Sequence, residues 1–130
     1  MKKDATVLLI DDDADDREIF GLALAEAGSS YKYLSAKNGI EALDKLKSGL
    51  VKPDCIFLDL NMPLMNGKQC LEEIKKQSTL TTIPIVIYTT SSEPRDKEQM
   101  IAMGATAFVT KPPEIGDLIT YLKNVLTLLK

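Results

Sequence analysis

The chain of 130 residues contains no histidine and no tryptophan, two cysteines and 5% aromatic residues. Without histidine there is no Ser-His or Cys-His nucleophile and no His-ligated zinc within the chain. Any phosphohistidine chemistry must come from a partner. Cys55 and Cys70 sit in no metal or redox spacing and read as small buried hydrophobes. Long hydrophobic runs are missing too. After Met1-Lys2-Lys3 the apolar stretch is only Val7-Leu8-Leu9-Ile10, too short for a signal-peptide core or a membrane span. No Lys/Arg cluster marks a nucleic-acid or acidic-membrane surface, and the net charge is −3. These absences predict a cytoplasmic protein that binds neither nucleic acid nor membrane. Its 45% hydrophobic and 27% charged residues suit one globular domain over 1–130.

What is present is an alternation. Val7–Ile10, Cys55–Leu58 and Ile85–Tyr88 are short, continuous apolar runs, as in strands covered on both faces. Tyr31–Ala36 is mixed, with Lys32 and Ser35, and belongs at a sheet edge; Ala107–Thr110 makes a fifth strand. Helical spacing fills the gaps. Ala14–Ala27 presents Ile19, Leu22 and Ala23 and stops at Gly28. Ile40, Leu43 and Leu46 mark a second helix ending near Gly49, and Leu71 and Ile74 a third within 67–77. Pro94 opens a fourth that ends at Gly104. Ile115, Leu118, Ile119, Leu122, Val125, Leu126 and Leu129 form the most regular amphipathic stripe. The pattern is (βα)₅, which implies parallel strands with right-handed crossovers.

In such a sheet the ligand crevice lies at the strand C-termini. There the chain carries Asp11-Asp12, Asp59, Thr89 and Lys111. Each has a plainer reading. Asp13, Asp15 and Asp16 read as the N-cap and acidic first turn of a helix, Thr89 as a turn former, and Lys111-Pro112-Pro113 as an exposed lysine before a proline turn. Asp11 and Asp12 differ, because they stand at the strand end itself. Two like charges about 4 Å apart cost roughly 4 kcal/mol at an effective dielectric of 20. A cation offsets that cost, and carboxylates with a backbone carbonyl and waters are what Mg²⁺ accepts.

Taken jointly, Leu9-Ile10-Asp11-Asp12-Asp13, Leu58-Asp59-Leu60-Asn61-Met62-Pro63, Val86-Ile87-Tyr88-Thr89-Thr90, Gly104-Ala105 and Phe108-Val109-Thr110-Lys111-Pro112 resemble the receiver domain of two-component response regulators over about 6–128, in its stand-alone, chemotaxis-regulator-like form, which implies a single domain with no output domain. The resemblance implies a doubly wound α/β sandwich of three layers, flavodoxin-like, with strand order 2-1-3-4-5. It implies Asp59 as phosphoacceptor, with Mg²⁺ on Asp12, Asp59 and the Asn61 carbonyl and on Asp11 through water. Lys111 would pair with Asp59 and then with the phosphoryl oxygens. The Thr89 hydroxyl and the Thr90 N–H would donate to that group. Phe108 would be the aromatic switch, and the Lys111–Pro112 bond would be cis. The implied partners are a sensor histidine kinase or histidine phosphotransferase and a downstream protein target, with the chain a monomer or weak homodimer. Three positions depart from the family pattern. Phe108 lacks the hydroxyl of the tyrosine often found there, Thr90 is larger than the usual Ala or Gly, and Pro113 replaces a common Phe.

Other functions on this architecture fit less well. An FMN carrier needs an N–H-rich Ser/Thr/Gly loop after the first strand, where this chain has Asp11-Asp12-Asp13. A haloacid-dehalogenase-type hydrolase wants Asp-x-Asp after the first strand, whereas here Asp59-Leu60-Asn61 follows the third. A phosphorylation-independent interaction module has no need of a full set of site residues.

Overall fold

The computed structural model describes residues 5–128. Strand and helix alternate throughout: β1 Thr6–Ile10, α1 Ala14–Ala27, β2 Lys32–Ala36, α2 Gly39–Lys47, β3 Cys55–Leu58, α3 Gly67–Lys75, β4 Ile85–Thr89, α4 Pro94–Ala102, β5 Ala107–Thr110 and α5 Ile115–Leu128. All neighbouring strands pair in parallel, in the order β2-β1-β3-β4-β5. Leu129 lies outside the described residues, as do Met1-Lys2-Lys3.

Strand periodicity divides the core in two. Leu8, Ile10, Ile56, Leu58, Ile85 and Ile87 face α2, α3 and α4, where Leu43, Leu71, Ile74 and Met100 meet them. Val7, Leu9, Cys55, Phe57, Val86 and Tyr88 face α1 and α5, against Phe20, Leu24, Leu118, Leu122 and Leu126. On that side the Phe20 ring stands edge-on to Phe57 and Tyr88, with centroids 5.0 and 5.5 Å away. Cys55 and Cys70 are buried and unbridged.

The stripe on α1 differs from the expected one. Phe20, Ala23 and Leu24 are buried, while Ile19 and Leu22 are 42% and 56% exposed. Phe20, Ala23, Leu24 and Ala27 follow i, i+3, i+4, i+7, and this stripe places the one aromatic ring of the helix in the core. Ile19 and Leu22 lie on the neighbouring stripe. Ile40 and Ile115, also expected inside, are 45% and 44% exposed in the first turns of their helices.

The helix ends explain how the loops are held near the strand tips. Asp13 caps α1 by accepting from the Asp16 N–H, as expected. Asn66 and Gln69 form a reciprocal capping box on α3. Gly67 opens α3 so close to the strand that a Cβ there would collide with the Asp59 carbonyl. Gly104, at φ +106°, ends the turn after α4.

The Lys111–Pro112 bond corrects an expectation. There are no cis peptide bonds among the described residues, so it is trans rather than cis. Trans is the lower isomer of an X–Pro bond by about 0.5–1 kcal/mol. The Lys111 N–H donates to the Thr89 carbonyl at 2.6 Å.

Candidate functional site

The sheet order brings the charged strand ends together. Ile10 is in register with Leu58, so Asp11 and Asp12 stand beside Asp59. Backbone bonds hold the tips: the Asp59 N–H donates to Ile10 O at 3.0 Å, and the Asp11 N–H to Ala36 O at 3.1 Å. One oxygen each from Asp11, Asp12 and Asp59 lie within 4.8 Å of one another. Asp12 and Asp59 border a cleft of about 500 Å³ whose lining also includes Asp16, Asn61, Thr90 and Lys111, while Asp11 is buried beside it.

Burial in the cluster is uneven. Asp11 is 0% and Asp59 5% exposed, while Asp12, Asn61 and Thr90 are open to solvent. Burial pushes the Asp59 carboxyl up to about 6; the Lys111 ammonium opposes this, and the Asp11 carboxylate reinforces it. Burial also raises Asp11, against the hydrogen bond it accepts from Lys111. For Lys111 burial favours the neutral amine, but hydrogen bonds to Asp16 and Asp11 outweigh it and hold the ammonium charged. Three carboxylates with oxygen donors and no sulfur or imidazole make a donor set suited to a hard divalent cation.

Lys111 forms the expected ion pair with Asp59 but has two closer partners. Its Nζ is 2.7 Å from Asp16 Oδ2 and 2.9 Å from Asp11 Oδ2, and only 3.7 Å from Asp59 Oδ2. Asp16, read from the sequence as a first-turn acid only, is therefore a member of the cluster. Its place in the first turn of α1 gave no signal that separated it from Asp15, and only the fold brings it to Lys111.

Thr89 is fully buried, and its Oγ1 accepts from the Ser91 N–H at 3.4 Å, as a turn former would. Thr90, by contrast, lines the cleft. Phe108 is half-buried and packs against the core on the α2–α4 side. The structure thus brings Asp12, Asp59, Asn61, Thr90 and Lys111 to one cleft, with Asp11 buried beside Asp12 and Asp59, Thr89 buried at the end of β4 and Phe108 on the adjacent strand.

Sequence and fold are shared with known proteins. The family model of the response regulator receiver domain matches residues 7–123. The sensor histidine kinase CheAY of Helicobacter pylori is 34% identical over 96% of this chain, which spans 15% of the kinase. The phosphate regulon regulator PhoB of Pseudomonas aeruginosa is 35% identical over 93% of this chain, which spans 51% of it. The chain thus covers about half or less of these curated relatives. Among solved structures, the phosphorylated cyanobacterial phytochrome response regulator RcpA superposes with a TM-score of 0.88 at 27% identity, covering 97% of this chain and 94% of that one. The family model covers most of the chain, and the chain belongs to the response regulator receiver domain family.

Proposed function

We propose that this chain is a phosphoacceptor of two-component signalling that takes a phosphoryl group onto Asp59 from a phosphohistidine of a sensor histidine kinase or histidine phosphotransferase. The observation that carries the reading is Asp59 itself: a buried carboxylate at a polar cleft, with an ammonium 3.7 Å away and two further acids beside it. An Asp59 oxygen forms a bond to phosphorus as the P–N bond of the donor breaks, and the imidazole nitrogen keeps the electron pair. The product is an acyl phosphate. Asp12, Asp59 and the Asn61 carbonyl would hold Mg²⁺, with Asp11 reaching it through water; when bound, the ion supplies positive charge against the phosphoryl oxygens. Lys111 supplies a further positive charge, and the Thr90 N–H and Thr89 hydroxyl supply donors.

The output follows from what must move. Thr89 has to leave Ser91 to reach a phosphoryl oxygen, and the space it leaves lets Phe108 turn inward. The α4–β5–α5 surface then repacks and controls a downstream protein, or the phosphoryl group passes along a relay. The reading makes 1–130 one receiver unit, acting in the cytoplasm as a monomer or weak homodimer. Acetyl phosphate with Mg²⁺, followed by intact-mass measurement, tests it. The wild type gains one phosphoryl group and Asp59→Asn gains none; labelling of the Asp59→Asn protein overturns the assignment.

A further inference from the structure

The phosphoacceptor chemistry uses Lys111 but gives no role to Asp16, its nearest partner. Asp16 is the third residue of α1, after the Asp13 cap. An acid at this position commonly turns back to the cap N–H. Here it reaches across to β5 and takes Lys111 Nζ at 2.7 Å, while Asp11 takes it at 2.9 Å. The lysine side chain is 11% exposed and lies 5.3 Å from the Tyr88 ring centroid, so little else competes for it. Of the three carboxylates around this ammonium, Asp59 is the farthest, at 3.7 Å.

We infer that Asp16 is a positioning residue that parks Lys111 on the α1 side of the cleft and thereby weakens the hold of the site on a phosphoryl group at Asp59. This rests on the phosphoacceptor reading above. A lysine held by Asp16 must give up or share that bond to serve a phosphoryl oxygen. The Asp16 charge therefore favours the unphosphorylated state through Lys111. Taking it away frees the ammonium for the phosphoryl oxygens. Asp11 stays with Lys111 in either state, because it is fully buried beside it.

The test is a double-mutant cycle with beryllofluoride and Mg²⁺ as the phosphoryl mimic, read by titration on the whole chain. Asp16→Asn tightens beryllofluoride binding about twofold to fivefold, the size of a partly exposed ion pair. In a Lys111→Met background the same substitution changes nothing, and Asp16→Glu restores wild-type affinity. Unchanged or weaker binding in Asp16→Asn overturns the inference. So does an equal gain in the Lys111→Met background, which would mean a general charge effect. A second measurement needs no phosphoryl mimic. The Lys111 ammonium signal in ¹H–¹⁵N spectra is slowed in exchange by its two partners, and it weakens or vanishes in Asp16→Asn. An unchanged signal overturns the positioning role. A wild type that binds no beryllofluoride, with the lysine signal still lost in Asp16→Asn, removes the phosphoacceptor reading and leaves the positioning of Lys111 standing.

Discussion

The half of the molecule built on α1, β1, β3 and α5 and the corner built on α4 and β5 are made differently. In the first, two 14-residue helices bury Phe20, Leu24, Leu118, Leu122 and Leu126 against a sheet face carrying Phe57 and Tyr88. In the second, the nine residues of α4 bury Met100 alone, and Glu93 at the N-cap makes no side-chain capping bond. The crowded acids Asp11, Asp12 and Asp59 stand on the first, firmly packed half. Electrostatic cost can persist in a rigid frame, since the frame has no easy way to relax it. The compliant part is the neighbour that receives the change, and α4 begins a few residues after Thr89. This division suits a two-state element biased by charge at the site.

The contrast can be broken most directly by truncating one anchor on each side. Phe20→Ala should lose about 3–5 kcal/mol of stability in urea unfolding, and Met100→Ala about 2, because the aromatic cluster has no way to close over the hole. Equal losses would mean that α4 is anchored as firmly as α1.

The next effect concerns the strain held in the rigid half. The folded Asp59 carboxyl lies at about 6, above its ordinary value of 3.8. Folded protein therefore binds more protons than unfolded protein between those values, and Asp59 makes stability fall as pH rises through that window. Without divalent metal, Asp59→Asn should stabilise the protein by about 2–3 kcal/mol at pH 7, a gain that shrinks towards zero as pH drops to 4. Denaturant midpoints from pH 4 to 7.5 in chelator check it. A gain independent of pH would locate the strain in packing rather than charge.

Hydrogen exchange sharpens the other side. Amides of α4 should open roughly 1–2 kcal/mol below those of α1 and α5. With beryllofluoride and Mg²⁺ the largest change should fall between Thr89 and Gly104. Uniform protection across the helices would end the comparison. The smallest effect is a repair: Glu93→Ser adds a capping oxygen at the start of α4 and should add about 0.5–1 kcal/mol, read as a higher melting temperature.

Much of this protein was legible as a string. Four-residue and five-residue apolar runs separated by helix-period segments are strands and crossover helices, because a buried parallel strand needs apolar residues on both faces. Asp-Asp, Asp, Thr and Lys at successive strand ends point to one crevice for the same topological reason. On α1 the Ile19–Leu22–Ala23 stripe and the buried Phe20–Ala23–Leu24 stripe are both apolar, and helical spacing alone does not choose between them. The position of Phe57 and Tyr88 chose, by offering Phe20 two aromatic neighbours.

The sequence by itself determined the fold class, the element order and the identity of the acids and the base at the strand tips, because these depend on local patterning and on the sheet's handedness. Only the tertiary structure decided which carboxylates surround Lys111 and how closely each is held. Those outcomes are contests between partners separated by up to 100 residues along the chain. Ångström differences settle them: at 2.7 Å an ammonium donates a hydrogen bond, while at 3.7 Å it exerts only its charge.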